Sequence, residues 1–222
     1  YTKGNLNNQT GVPLTIFSIE EDSQAAVIEM GMNNFGEIKE LSSIILPDIA
    51  VITNIGTSHI GNLGSRQNIF KAKTEVLEYL DNGYLVVNAD DDMLCNLKSN
   101  HKYTVIRTGI NADNLDYCAK DIILNIDNTY SFSVKNSRIK LSIPGVHNIN
   151  NALLAIAAAD LLNADFDKSV NAIGACVNQK MRTQITNIDG YMIINDAYNA
   201  NYDSMKASID ILKNYKSRKV AI

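Results

Sequence analysis

Residues 47–89, PDIAVITNIGTSHIGNLGSRQNIFKAKTEVLEYLDNGYLVVNA, decide the fold. Two short apolar runs, DIAVITNI and GYLVVNA, flank a segment in which apolar residues recur every three or four positions. Apolar runs without alternation predict strands that are buried on both faces. The spacing of three or four positions between apolar residues in the middle segment predicts an amphipathic helix. The order strand, helix, strand therefore predicts a parallel sheet flanked by helices.

The same pattern continues on both sides of this stretch. QAAVIEM and YTVIRTG predict further strands, and GEIKELSSII predicts a helix. Between residues 117 and 143 the period changes to the alternation of YSFSVK and IKLSI, which predicts a small antiparallel β insert. Helices are then expected at NINNALLAIAAADLLN and FDKSVNAIGACV. The fold class is α/β, with a mostly parallel sheet and this insert.

A second unit is expected to begin after Val177. TQITNID and YMIIND predict strands, SMKASIDILKNY predicts a helix, and KVAI predicts a further strand. We therefore divide the chain into a domain over residues 1–177 and the start of a second, Rossmann-like α/β domain over residues 178–222. Because the chain opens in a loop and closes in a predicted strand, we expect both ends to be cut.

The composition narrows the class of protein. Of the 222 residues, 45% are hydrophobic and 20% are charged, and the formal net charge is −4. The sequence has no basic patch of the kind that binds nucleic acid. It also has no apolar run long enough to span a membrane and no leader pattern for export. The three cysteines are widely spaced, which favours a reducing compartment, so we expect a cytoplasmic protein.

Lys73 lies where an apolar residue is expected. The helix predicted over Ser65–Leu80, with Ser65 as its N-cap, places Lys73 inside its apolar stripe, whereas Lys71 points to solvent. Two interpretations remain open. The lysine stem packs on apolar surface and its ammonium reaches water, or a desolvated lysine with a lowered pKa presents a neutral, nucleophilic amine.

Polar residues follow three of the predicted strands. Glu29 ends AAVIE, His59 follows AVITNI, and three aspartates follow LVVNA. Ligands of parallel sheets bind beyond the carboxyl ends of strands, so Glu29 and His59 are candidate ligands of a divalent ion such as Mg²⁺. The alternative for Glu29 is a cap or an ion pair, including one with the Lys73 ammonium. Residues 90–92 are expected to form a solvated turn and a helix start.

The printed sequence contains neither a G-x-x-x-x-G-K-[ST] phosphate loop nor a G-x-G-x-x-G dinucleotide turn. A neutral amine beside a metal can capture carbon dioxide as a carbamate, which converts a lysine into a carboxylate-like ligand. A metal site with a lysine carbamate fits the sequence better than a nicotinamide site. Only the alternating βα pattern favours a nicotinamide site.

Six segments together resemble one family. TKGNLNNQTGVP, VIEMGMNNFGEI, TNIGTSHIGNLGS, FKAKTEVLEYL, PGVHNINNALLAIAAA and NDAYNANYDSMKA occur in the order found in the Mur ligases of peptidoglycan synthesis, and they are most similar to the MurF branch. The resemblance implies an ATP-dependent amide-bond ligase of three domains. This chain would hold most of the central ATPase domain, without the phosphate loop that opens it, and the start of the third domain.

The resemblance also implies the reaction. UDP-MurNAc-tripeptide and D-alanyl-D-alanine would be joined through an acyl phosphate, with ATP and Mg²⁺ as cofactors, in cell-wall biogenesis and hence in cell shape and division. This fragment alone is expected to be inactive. The alternatives are another Mur or folylpolyglutamate-type ligase and a non-catalytic nucleotide-binding module.

Site roles follow from the matching motifs. Glu29, His59 and a carbamylated Lys73 would form the catalytic metal site. Four further residues would bind ATP: Asn148 and Asn151 at adenine, Arg182 at the phosphates and Asp196 at the ribose. Asn5, Asn7 and Asn8 would line the muramoyl-peptide side.

This sequence departs from the family pattern at three positions. Gly61 stands where an acidic residue is common, Met181 stands where a glycine often precedes the arginine, and Tyr202 stands where proline often follows NAN. The first change removes an expected support of the metal site. The other two lie in the predicted second domain, directly before Arg182 and directly after Asn201.

Overall fold

The computed structural model describes residues 1–221. The chain divides into two compact units, one formed by Tyr1–Val87 with Asp91–Ile106 and the other by Asn88–Asp90 with Arg107–Ile222. The boundary predicted at residue 177 does not coincide with this division, and it remains a prediction. None of the described helices combines the length and the apolar character that a membrane span requires.

The first unit is built on a parallel sheet. Strand β1 (Ile49–Ile52) pairs with β2 (Gly83–Asn88) in parallel, with Ile49 opposite Tyr84 and Ile52 opposite Val87, and β3 (Tyr103–Gly109) follows β2 in the sheet order. The three apolar runs that predicted these strands are confirmed. Their buried side chains, Ala50, Leu85 and Val105 among them, pack into one hydrophobic core.

Helices cover this sheet. The first unit contains α1 (Gly11–Phe17), α2 (Glu37–Ile45), α3 (Ile60–Leu63) and α4 (Arg66–Thr74), with 3-10 turns at Glu75–Tyr79 and Leu94–Asn96. The apolar faces of α2 and α4 are buried through Ile38, Leu41, Ile69 and Ala72. The helix predicted at GEIKELSSII is therefore confirmed.

The single helix predicted over Ser65–Leu80 is wrong in its second half. Ser65 is the N-cap as predicted, since its side chain accepts a hydrogen bond from the Asn68 N–H, but α4 ends at Thr74 and the chain tightens into a 3-10 turn. The Glu75 carboxylate accepts hydrogen bonds from the backbone N–H groups of Gly36, at 2.8 and 3.0 Å, and Lys39, at 3.2 Å. The first residue of the 3-10 turn is thus tied to the start of α2.

The strand predicted at QAAVIEM is also wrong. Residues 25–30 form no strand, and Val27 is 68% exposed. Hydrogen bonds join this segment to the opening loop at separate points, from the Thr2 N–H to the Val27 carbonyl and from the Gly31 N–H to the Asn7 carbonyl. A regular ladder, which defines a strand, does not form there.

The second unit contains the predicted antiparallel insert. The end of β3 pairs in parallel with β4 (Tyr117–Cys118), and β5 (Lys120–Leu124), β6 (Thr129–Val134) and β7 (Ser137–Pro144) form an antiparallel sheet. Helices α5 (His147–Leu161) and α6 (Phe166–Gly174) follow where they were expected. Phe132 and Leu141 of the insert and Leu153 of α5 are fully buried.

The last part of the chain holds a hairpin and a helix. Strands β8 (Gln184–Ile188) and β9 (Tyr191–Asn195) are antiparallel, and α7 (Tyr202–Lys213) begins with a capping box in which Asn201 and Ser204 bond each other reciprocally. The strand predicted at KVAI is not present over residues 219–221, and Ile222 lies outside the described residues.

Candidate active site

Lys73 lies in the last turn of α4 and faces the loop that follows β1. It is half-buried, whereas Lys71 is exposed, so the inward placement predicted from periodicity is confirmed. The Lys73 Nζ donates a hydrogen bond to the Asn54 carbonyl oxygen at 2.7 Å. Burial lowers the pKa of Lys73, and the negative charge of Asp91 opposes that shift. The Lys73 amino group is therefore partly desolvated and bonded to the protein backbone.

The loop that receives Lys73 is held at two further points. The Ile55 N–H donates to Asp91 Oδ2 at 2.7 Å, and the Ile55 carbonyl accepts from Arg66 Nε at 2.9 Å. Arg66 also pairs through its guanidinium with the Asp92 carboxylate, an interaction that lowers the pKa of Asp92. Residues 53–59 are thus fixed by side chains from α4 and from the turn after β2.

The three aspartates after β2 have structural roles. The Asp90 carboxylate accepts three backbone hydrogen bonds from residues 110–112, at 2.8 to 3.0 Å. Asp91 Oδ1 accepts from the N–H groups of Met93, at 3.0 Å, and Leu94, at 3.1 Å, where a 3-10 turn begins. The predicted turn and helix start are therefore confirmed.

Glu29 is exposed and lies against the opening loop. Its Oε1 accepts a hydrogen bond from Asn7 Nδ2 at 2.8 Å, and its N–H donates to Thr2 Oγ1 at 2.8 Å. The structure therefore brings a predicted metal ligand next to a predicted substrate-side residue. Asn8 instead holds the start of α1, since its Oδ1 accepts from the N–H groups of Thr10 and Gly11, and Asn5 is exposed.

His59 immediately precedes α3. Its φ of 65° lies in the left-handed region, which is uncommon for a residue other than glycine, and its side chain is exposed. Hydrogen bonds from the Asn33 N–H and the Asn34 side chain lower the pKa of Glu37, and the charge of His59 adds a smaller contribution in the same direction. A carboxylate of α2 therefore lies within electrostatic reach of the imidazole.

The donor types of Glu29, His59 and Lys73 would suit Mg²⁺ only if Lys73 were modified to a carbamate. Within residues 1–221, no three side chains drawn from histidine, cysteine, aspartate and glutamate lie close enough to hold a metal ion. Glu29 supplies carboxylate oxygens and His59 supplies an imidazole nitrogen. A carbamate on Lys73 would add the second oxygen donor that a hard divalent cation prefers.

The asparagines predicted to contact adenine open α5. Asn148 is buried, its Nδ2 donates to the Pro144 carbonyl at 2.7 Å, and its Oδ1 accepts from Asn151 Nδ2 at 3.1 Å. Asn151 is exposed. Asn150 Oδ1 is buried and has no hydrogen-bond partner within residues 1–221. Asn148 and Asn151 are thus bonded to each other, with Asn148 held by the backbone and Asn151 exposed to solvent.

A cavity of about 440 Å³ lies beside this helix start, between the β insert and α7. Its lining is formed by residues of α7, by Tyr130 of β6 and by residues 145–147 at the start of α5, and it includes Asp203, Lys206 and Asp210. The four predicted ATP-binding residues are absent from this lining. The cavity is therefore adjacent to the predicted adenine site and is not formed by it.

Arg182 and Asp196 lie on two connected turns. Arg182 is exposed and stacks over the Tyr198 ring, with its Cζ 4.2 Å from the ring centroid. Asp196 is half-buried, and its carboxylate already accepts from the Thr183 N–H, at 2.8 Å, and from the Ser208 hydroxyl. The structure brings these two residues to the same region, and α7 is tied to it through Ser208.

Three contributors to this geometry were not singled out from the sequence. Arg66 resembles any exposed helix residue, and the backbone partner of Asp91 lies 36 positions away, so no local pattern indicates either contact. Tyr198 lies in NDAYNAN, the segment that also holds Asp196, but no local pattern indicates the contact of its ring with Arg182. The one signal in the sequence is Met181, which stands where a glycine is common. Glycine at that position indicates that the turn shared with Arg182 has an unusual backbone.

Comparisons with known proteins place the chain in one family. Residues 1–159 match the family model for the Mur ligase middle domain. A UDP-N-acetylmuramoyl-tripeptide--D-alanyl-D-alanine ligase of Bacillus subtilis (strain 168) is 39% identical over 214 residues, which are 95% of this chain and 46% of the relative. The corresponding ligase of Escherichia coli (strain K12) is 32% identical over 231 residues, covering 100% of this chain and 50% of the relative.

Solved structures show the same fold. A crystal structure of MurF from Acinetobacter baumannii has a TM-score of 0.89 and 32% identity, with 97% of this chain and 48% of that chain covered. MurF from Thermotoga maritima in complex with ADP has a TM-score of 0.85 at 23% identity and covers 98% of this chain and 51% of that chain, which supports the fold alone. The chain spans about half the length of the curated relatives that it matches. Since the family model covers well over half of its residues, the chain belongs to the Mur ligase family.

Proposed function

We propose that this chain carries the metal-binding and nucleotide-binding residues of an ATP-dependent ligase that joins D-alanyl-D-alanine to UDP-MurNAc-tripeptide. The observation that carries the proposal is the half-buried Lys73 amine, directed at the loop after β1, in a chain 39% identical to a relative named as this ligase. We place the reaction in the cytoplasm, as the composition predicts.

The proposed reaction has two steps. The terminal carboxylate of the tripeptide attacks the γ-phosphorus of ATP, and the bond to the bridging oxygen breaks, which gives an acyl phosphate and ADP. The amine of D-alanyl-D-alanine then attacks the acyl carbon, loses a proton, and expels inorganic phosphate as the amide forms. Negative charge grows on the phosphoryl oxygens in the first step and on the acyl oxygen in the second. Stabilising that charge is the main requirement of such a site.

Glu29, His59 and carbamylated Lys73 would hold Mg²⁺, which neutralises phosphoryl charge when it is bound. The carbamate forms when the neutral Lys73 amine attacks the carbon of carbon dioxide, a C–N bond forms, and one N–H proton passes to water. The product keeps one N–H on Nζ. That N–H can continue to donate to the Asn54 carbonyl, so the contact present in this structure is compatible with the modified side chain.

The nucleotide would be bound by residues of the second unit. Asn151, whose amide is exposed, is placed to donate to or accept from a base edge, while Asn148 holds it in position. Arg182 would contact the phosphates. Asp196 would accept a hydrogen bond from the ribose in addition to those that its carboxylate accepts from Thr183 and Ser208.

The opening loop would face the muramoyl peptide. Asn7 is bonded to Glu29 and would link the metal site to that substrate, whereas Asn8 would act by holding α1 and Asn5 would be free to contact the ligand. The assignment of Asn5 and Asn8 follows from their motif alone.

The test is the release of phosphate by the intact protein. We expect release to require ATP, Mg²⁺, UDP-MurNAc-tripeptide and D-alanyl-D-alanine together, with the single amino acid D-alanine as the control acceptor. Activity with a single amino acid in place of the dipeptide would overturn the proposed substrate and favour another ligase of the family. ATP binding without any phosphate release would indicate a non-catalytic nucleotide-binding module.

A further inference from the structure

The turn that carries Arg182 has an unusual backbone. Met181 has a φ of 61° and Thr183 has a φ of 44°, so both neighbours of Arg182 lie in the left-handed region. Residues with a Cβ adopt this conformation at a cost of about 1–2 kcal/mol each. Two such residues around one arginine require contacts elsewhere that hold the turn.

The NDAYNAN segment supplies those contacts. The Thr183 N–H donates to Asp196 Oδ1 at 2.8 Å, and the Tyr198 N–H donates to the Met181 carbonyl at 3.1 Å. One bond is therefore made on each side of Arg182. Residues 196–198 fix the backbone from which the arginine side chain extends.

The Tyr198 ring makes a third contact, with the Arg182 side chain itself. The Cζ of the guanidinium lies 4.2 Å from the ring centroid, within the range of a cation–π interaction. Stacking occupies the flat face of a guanidinium, while its five N–H donors lie in the plane and point outward. The ring can therefore fix the group without using the donors that bind phosphate oxygens.

We propose that Tyr198 is a positioning residue for Arg182, and that it presents the guanidinium edge to the phosphates of a bound nucleoside triphosphate. The inference rests on the proposed function, because that function makes Arg182 a phosphate contact. Tyr198 acts through the arginine and does not itself touch the nucleotide. Tyr198 is 47% exposed, so its contact with Arg182 contributes only modestly to nucleotide affinity.

The experiment compares Tyr198→Leu with Tyr198→Phe in the intact protein. Leucine removes the aromatic face, and we expect the KM for ATP to rise roughly two- to fivefold, with a smaller change in kcat. Phenylalanine keeps the face and should restore the KM toward the wild-type value. Tyr191→Leu, at an exposed tyrosine of β9, is the matched control for the loss of a surface ring.

A double-mutant cycle then separates positioning from direct contact. In an Arg182→Gln background, Tyr198→Leu should cause no further rise in the KM for ATP, because the group that the ring orients is gone. A leucine effect that persists in that background would overturn the inference, as would equal KM values for the leucine variant and the wild type.

Failure of the inference and failure of the proposed function give different results. Coupling between residues 182 and 198 in ATP affinity, measured by calorimetry, together with no ligation of the dipeptide, would support the inference and overturn the proposed substrates. Ligation of the dipeptide without any coupling would support the function and overturn the role of Tyr198.

Discussion

Lys73 and Asp91 hold opposite ends of one peptide group. The Asn54 carbonyl oxygen accepts from Lys73 Nζ at 2.7 Å, and the N–H on the other side of the same amide, which belongs to Ile55, donates to Asp91 Oδ2 at 2.7 Å. Rotation of this peptide plane would break both hydrogen bonds. Asp91 therefore determines the direction of the Asn54 carbonyl, which accepts the hydrogen bond from Lys73.

Asp91→Ala is expected to destabilise the protein. The substitution removes the acceptor of three backbone N–H groups, those of Ile55, Met93 and Leu94. Donors left without an acceptor cost about 1–3 kcal/mol, so urea unfolding should show a free energy of unfolding lower by about that amount. Asp92→Ala, which breaks only the exposed pair with Arg66, should have a clearly smaller effect. Equal losses in the two variants would contradict the role of Asp91 in holding these backbone N–H groups.

Lys73→Ala is expected to abolish the proposed ligase activity. If the carbamate of Lys73 holds Mg²⁺, turnover of the intact protein should fall about 10²–10³-fold, and short carboxylates such as formate should restore part of it. Phosphate release measures both effects. Lys71→Ala, at the exposed lysine of the same helix, should retain turnover. Undiminished activity in Lys73→Ala would show that the amine has no part in the reaction.

Met181→Gly is expected to stabilise the chain. Met181 has a φ of 61°, where glycine avoids the clash of the Cβ, so the free energy of unfolding should rise by up to about 1 kcal/mol after the greater flexibility of unfolded glycine is allowed for. Lys180→Gly, at a neighbour outside the left-handed region, should lower it. Thermal unfolding of the two variants tests the difference, and a loss of stability in both would show that the turn stores no strain at Met181.

Asp127 should make stability depend on pH in the acid range. A hydrogen bond from Lys140 is the main cause that lowers the pKa of Asp127 from 3.8 to about 2, and bonds from Thr129 add to it. Because the folded state binds the proton more weakly, the stabilisation is complete above the ordinary pKa of 3.8 and is lost as the pH falls through about 2. The group is half-exposed, so the effect is small.

Asp127→Asn checks this expectation. The difference in unfolding free energy between the wild type and Asp127→Asn should shrink between about pH 5 and pH 2. Asp189→Asn, at the exposed turn between β8 and β9, is the control for a surface carboxylate. A difference that stays constant over this range would show that the pair with Lys140 is not formed in solution.

Local patterns predicted the elements whose stability depends on burial. The continuous apolar runs of β1 and β2 and the alternation of β6 and β7 each follow from the period of the side chains that reach the core. Residues 25–30 have the same apolar character, but a strand also needs a neighbouring backbone, and composition does not report one. The error at this segment therefore arose from a non-local requirement.

The end of α4 could not be predicted for a similar reason. The hydrogen bond from the Gly36 N–H to the Glu75 carboxylate spans 39 positions, so nothing near Thr74 in the sequence signals the change to a 3-10 turn. At the candidate site, periodicity placed Lys73 inward, but the carbonyl that it contacts depends on how Asp91 orients the loop. Sequence patterns thus indicated which side chain mattered, and tertiary contacts determined what it meets.

The turn after β2 has a consequence for variation in chain length. Asp90, Asp91 and Asp92 are consecutive, yet their long-range partners are three separate parts of the chain: residues 110–112, Ile55 and Arg66. An insertion or deletion of one residue here would shift all three carboxylates out of register at once. Surface turns usually accept such changes, but this one should evolve by substitution alone.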